Sequence, residues 1–102
     1  MRITIRIRRH IPDEAAPLLR RRLEFALGRF ASRLSEVSAH VSDVNGPRGG
    51  VDKRCVITLH LYRSPRPIVI EDVDVDPLVA IDRAADRAGR TVARALARRL
   101  AR

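Results

Sequence analysis

The stretch IVIEDVDVDPLVAIDRAADRAGRTVARALARR, residues 68–99, changes its period partway along, and that change decides the fold. Ile68 to Val75 is rich in β-branched residues and reads as a strand. Asp76-Pro77 then forms a strong helix start, with Asp as N-cap and Pro at the first helical position. Beyond it, at 100° per residue, Leu78, Ile81, Ala85, Ala88, Val92 and Leu96 fall on one face. A strand hands directly to a long amphipathic helix.

Working outward, RITIRIR at residues 2–8 alternates strictly, with Ile3, Ile5 and Ile7 on one side and Arg2, Thr4, Arg6 and Arg8 on the other, as in a half-buried strand. Pro12-Asp13-Glu14 predicts a helix start with Asp13 as a cap, and Leu19, Leu23, Ala26, Leu27, Phe30 and Leu34 recur at helical spacing. Val37, Ala39 and Val41 alternate again, as do Cys55, Ile57, Leu59 and Leu61. The turn-rich VNGPRGGVD between them predicts a hairpin with a long loop, and Ser64-Pro65-Arg66-Pro67 a second turn. The order is β-α-β-β-β-α. Four strands and two amphipathic helices covering one face make a two-layer α+β sandwich, read as a single domain over residues 1–102.

The closing helix also carries Arg83, Arg87, Arg90, Arg94 and Arg98. These span only about 80° of the wheel, opposite the core, over roughly 22 Å. Asp82 and Asp86 sit to one flank near the helix start, where the dipole favours them. Like charges four apart are mutually destabilising, and most of the stripe carries nothing on its own line to offset that. Such segregation points to a ligand with successive phosphates. The first helix adds Arg20, Arg21, Arg22, Arg29 and Arg33. Leu18 and Phe25 lie off its apolar stripe, among Arg21, Arg22 and Arg29. Two readings of Phe25 are open: a platform for a nucleic-acid base, or packing against a neighbour.

Bulk composition agrees. A formal charge of +9, from 21 basic and 12 acidic side chains in 102 residues, calls for a polyanionic partner. Lys53 is the only Lys. The bias to Arg suits phosphate, but a GC-rich genome that replaces Lys by Arg is the plainer cause of it. With Phe25, Phe30 and Tyr62 as the only aromatics, the core must be aliphatic. The lone Cys55 excludes an internal disulfide and a Cys-based zinc site. No signal peptide or membrane span is visible, so a cytoplasmic protein is expected.

Other patterns carry less. Gly46-Pro47-Arg48-Gly49 spells GxxG, but a KH clamp joins helices and this loop joins strands. The loop could still reach phosphate through Arg48, Lys53 and Arg54. Glu71, Asp72, Asp74 and Asp76 cluster at the end of the fourth strand, and the three Asp could share one side of it and attract Mg²⁺; helix capping and balance against arginine is the plainer account. His10, His40 and His60 are given no common third ligand by their spacing. Cys55 alternates into the core as a packing residue. No nucleophile–base–orienter set can be assembled, so a non-enzyme without cofactor, metal, membrane or small-molecule substrate is expected.

Taken in order, the chain resembles the ribosome hibernation promoting factor / ribosome-associated inhibitor A family from residue 3 to about residue 99. The most specific stretch is Asp76-Pro-Leu-Val-Ala-Ile-Asp82, similar to the family's D-x-x-x-A-I-D opening of its last helix. Ala84, Asp86, Arg87, Arg90 and Arg94 continue it, and His10 to Glu14 and Phe30 to Val37 are similar too. The resemblance implies a fold like the double-stranded-RNA-binding domain, lodged near the decoding centre of the small subunit. There it would overlap the mRNA and tRNA sites and keep idle ribosomes intact under stress. By position it implies rRNA contacts at Arg87, Arg90, Arg94 and Arg22. Leu78, Gly89 and Phe25 depart from the family, Phe25 standing where a Lys is frequent. The 102 residues stop where longer members continue into a second domain that pairs ribosomes.

The candidate RNA-binding set is therefore Arg22, Arg29, Arg83, Arg87, Arg90, Arg94 and Arg98, in a monomer or weak dimer bound to small-subunit rRNA. The alternative is a homodimerising interaction module. It would use the open sheet face, with Arg6, His40, Val56, Thr58, His60 and Tyr62.

Overall fold

The computed structural model describes residues 1–44 and 52–100. Its elements are β1 (Arg2–Ile7), α1 (Ala15–Leu27), a 3₁₀ segment (Gly28–Arg33), β2 (Leu34–Asp43), β3 (Lys53–Leu61), β4 (Ile68–Asp74) and α2 (Pro77–Leu100). The sheet runs β1-β2-β3-β4, with β1 parallel to β2 and the other pairs antiparallel. A parallel pair needs a crossover, and α1 is that crossover. α2 packs on β3, β4 and α1, while α1 also packs on β1, so both helices cover one face. The two-layer α+β sandwich read from the sequence is the observed architecture.

Alternation explains the core. Val37, Ala39 and Val41 of β2 and Cys55, Ile57, Leu59 and Leu61 of β3 are buried under the helices. They meet Leu19, Leu23 and Leu27 of α1 and Ile81, Ala85, Ala88, Val92 and Leu96 of α2. Each fully buried Leu or Ile contributes about 1.5–3 kcal/mol, and no aromatic is needed. Leu34 is fully buried although its parity differs from Val37. A register shift between Leu34 and Glu36 supplies the extra residue that turns both inward.

Two expectations need correction. The first helix does not run on to Leu34: it ends at Leu27, and the following turn tightens to 3₁₀ before β2 begins. A 3₁₀ turn repeats every three residues, so Phe30, three after Leu27, stays in step with the apolar stripe without being α-helical, while Leu34 already belongs to β2. Nor does Asp13 cap α1. Glu14 holds the cap position without a side-chain bond, and Ala15 N–H donates to Pro12 O at 3.0 Å. Pro17 falls in the first turn, where its missing N–H costs nothing.

The start of α2 follows the sequence reading. Leu78 N–H donates to Asp76 Oδ1 at 2.9 Å, which is the N-cap bond. Further along, a Cβ placed on Gly89 would lie 2.9 Å from Ala26 O and 3.2 Å from Ala26 Cβ. The two helices touch through backbone there, so this position excludes a side chain.

Candidate nucleic-acid interface

All five arginines of the α2 stripe are exposed, as their angular spacing predicts. Their partners divide them. Arg83 donates through Nη2 to Asp72 Oδ1 at 2.8 Å, to Asp74 Oδ1 at 3.1 Å and to Val73 O at 3.0 Å. Arg87 donates through Nη1 to Glu71 O at 2.7 Å and lies 3.5 Å from Asp72 Oδ2. Arg90 pairs with Asp86 one turn earlier at 3.1 Å. Arg94 makes only a 3.4 Å contact with Thr91 Oγ1, and Arg98 has no ion pair among the described residues.

The stripe is thus unopposed only at its C-terminal end. Its N-terminal arginines are met by carboxylates on β4, an element the helical wheel does not include. Asp72 is the register partner of Cys55, so it points to the helix side of the sheet. There it meets the long side chains descending from α2. Hydrogen bonding to Asp72 is the main cause raising the Arg83 pKa above its ordinary value, so the guanidinium stays charged. The Arg90–Asp86 pair is largely exposed, and such a pair contributes between zero and about 1 kcal/mol, whereas Asp72 is mostly shielded between its two arginines. A phosphate can compete for the arginines, but it must displace a carboxylate to do so.

The other carboxylates follow suit. Asp74 Oδ2 accepts from Asp76 N–H at 2.9 Å, so the β4 acids serve as ion-pair partners and caps. Glu71 pairs with Arg54 at 3.2 Å, and Lys53 Nζ lies 2.6 Å from Asp52 and 3.5 Å from Asp43. The two basic residues after the β2–β3 loop are therefore held by nearby acids, Lys53 by Asp52 and Asp43 and Arg54 by Glu71. The GxxG stretch with Arg48 lies outside the described residues.

On α1, Arg22 reaches across to α2, its Nε donating to Asp82 Oδ1 at 2.9 Å. The Arg29 guanidinium lies 4.6 Å over the Phe30 ring, a cation–π contact. Between the helices runs an open trough of about 790 Å³. Ala26, Ala85, Gly89 and Ala93 form its apolar floor; Arg22, Arg29, Arg90 and Arg94 border it, with Asp82 and Asp86 on one wall. Phe25 stands at its rim, 89% exposed. Among the described residues, no neighbouring element of the chain covers the Phe25 ring.

Of the residues singled out from sequence, the fold brings together Arg22, Arg29, Arg90 and Arg94. It turns Arg83 and Arg87 away onto β4. Arg98 faces a separate hollow shared with Arg99, Ser64 and Ile68. The walls of the trough depend on the crossing of two helices at Gly89, which no periodicity in either helix encodes.

The open sheet face is polar and mixed. Arg6 pairs in register with His40, His40 with Val56 and Val56 with Glu71. His40 Nε2 accepts from Arg8 Nε at 3.1 Å. Cys55 is buried, and desolvation followed by the charge of Asp72 pushes its thiol up to about 12. Among the described residues, no helix is long and apolar enough to cross a membrane.

No protein-family model matches the chain, and no curated protein does. Solved structures do match. A ribosomal subunit interface protein from Coxiella burnetii aligns with TM-score 0.74 at 14% identity, covering 95% of this chain and 99% of that one. The N-terminal domain of Protein Y from Thermus thermophilus aligns with TM-score 0.62 at 26% identity, covering 92% and 98%. Both are members of the hibernation-factor family, so the resemblance read from the sequence holds in three dimensions.

Proposed function

We propose that this chain is a ribosome-associated, non-enzymatic translation inhibitor of the hibernation type. It binds small-subunit rRNA through its helical face and blocks mRNA and tRNA near the decoding centre. One observation carries the reading: a fold shared with two hibernation-factor proteins presents, on its helix side, arginines from both α1 and α2 around one trough. The name of one neighbour, a ribosomal subunit interface protein, supports the ribosome as partner. The single domain, residues 1–102, acts in the cytoplasm where ribosomes are.

The mechanism is steric. Arg22, Arg29, Arg90 and Arg94 hold the RNA backbone from both sides of the trough. Arg83 and Arg87 join by exchanging Asp72 and Asp74 for phosphate, and Arg98 extends the contact towards the β3–β4 turn. The rigid sandwich behind them fills the path of tRNA and message. Phosphate contacts of this kind weaken as salt rises, because binding releases counterions from the nucleic acid.

The test is pelleting with ribosomes through sucrose at low and high salt. The wild-type chain co-sediments at low salt and leaves at high salt. The R87A/R90A/R94A variant stays folded and is largely lost from the pellet. Wild-type pelleting by that variant, or a tight salt-insensitive dimer that ignores ribosomes, refutes the reading.

A further inference from the structure

We propose that the trough between α1 and α2 is a subsite for one unpaired nucleotide of a folded RNA. The base stacks on Phe25 and the adjoining phosphates are met by Arg29 and Arg94. The inference rests on the RNA-binding reading above and names the feature of the RNA that this site recognises.

Exposure of Phe25 is the first observation. The chain has two Phe, one Tyr and no Trp. It leaves one of these rings 89% in water, on a helix whose inward positions are filled by Leu19, Leu23 and Leu27. A scattered surface apolar residue needs no explanation, but the setting of this one is specific. It borders a trough whose floor is Ala26, Ala85, Gly89 and Ala93. Small side chains and the close helix crossing at Gly89 bring the floor near the backbone and leave a wide shallow slot beside an aromatic ring.

The charge around the slot selects the occupant. Four guanidinium groups and two carboxylates line it, and neither Arg29 nor Arg94 has a carboxylate partner among the described residues. An aromatic ring flanked by cations is how proteins hold single-stranded nucleic acid, where the ring takes a base face and the cations the backbone. A continuous duplex offers no such face, because its bases are stacked on each other. An unpaired nucleotide in a bulge or loop does. The apolar floor is too small, and its rim too cationic, for a hydrophobic partner surface.

The experiment uses the full chain and three RNA hairpins with one stem sequence: fully paired, with a single-nucleotide bulge, and with an abasic residue in the bulge. Binding is read by fluorescence anisotropy across a salt series. Wild type prefers the bulged hairpin. In Phe25→Ala that affinity falls about five- to hundredfold, while the other two hairpins and the salt slope are unchanged. Phe25→Trp keeps the preference and supplies the only indole in the chain, whose emission is quenched as the base stacks.

Equal wild-type affinity for the bulged and abasic hairpins overturns the subsite, as does an equal loss by Phe25→Ala on all three. If those results come with steep salt dependence, phosphate binding stands and the subsite alone falls. If no hairpin binds at all, both readings fall. Preferential capture of an acidic peptide, with the same dependence on Phe25, overturns the occupant.

Discussion

Replacing Arg94 and Arg98 by alanine removes two cations of the α2 ridge that hold no carboxylate among the described residues. Replacing Arg83 and Arg87 removes two that do, since Asp72 and Asp74 already neutralise them. The pairs have equal formal charge and nearly the same angular position, yet they should differ in binding. An arginine without a partner contributes a full phosphate contact, worth about 0.7–0.9 in the slope of log affinity against log salt. R94A/R98A therefore lowers the magnitude of that slope by about 1.4–1.8. Between about 50 and about 200 mM salt, the variant loses roughly tenfold less affinity than wild type. In R83A/R87A the lost contacts are offset by carboxylates that no longer have to be displaced, so its slope falls by less than half as much. Its cost appears instead in stability, because Asp72, only 12% exposed at its side chain, loses both arginine partners. Anisotropy titrations of a labelled RNA hairpin give the slopes, and thermal melts give the stabilities. An equal fall in slope for the two variants would show that the β4 carboxylates do not gate the ridge.

Two further outcomes concern the frame that holds the site. Gly89→Ala gains about 1 kcal/mol of helix propensity but forces Cβ against Ala26 O, an overpacking cost of about 1–3 kcal/mol on backbone that cannot rotate away. The net is destabilisation in thermal melts, whereas Gly28→Ala, which meets nothing within 4 Å, is neutral or stabilising. Cys55 has its thiol raised from 9.0 to about 12 by burial, so the unfolded chain loses that proton first as pH rises. Its contribution is fully present below about pH 9 and falls towards pH 12 by up to about 1.4 kcal/mol per unit. Denaturant titrations should show a shallower alkaline loss for Cys55→Ala, and iodoacetamide should label the folded wild type far more slowly than the unfolded chain.

Legibility in the sequence followed the range of each interaction. The Asp76 cap, the alternation in β1 and β3 and the apolar face of α2 are local, set by residues within one or two turns, and each was readable. The end of α1 was not, because a 3₁₀ turn keeps Phe30 in helical phase and the first residue of β2, Leu34, falls four positions further on. The arginine stripe was visible as a pattern on one helix, but its partition was hidden. Asp72 and Asp74 lie on a neighbouring strand, and only the sheet order puts them beneath Arg83 and Arg87. The sequence leaves Phe25 open between stacking and packing, because its exposure depends on how α1 lies against α2, and their close approach runs through a glycine on the other helix.

The parallel pairing of β1 with β2 separates the molecule into unequal parts. β2, β3, β4 and α2 follow one another along the chain and support one another as an antiparallel meander with its covering helix. β1 and α1 join that unit from the amino-terminal side, and β1 holds the sheet by a single neighbour. One bank of the trough thus travels with the attached piece and the other with the meander. An excursion that lifts the attached piece dismantles the trough while every strand pair of the meander survives, so ligand capture and domain integrity can be lost on separate occasions.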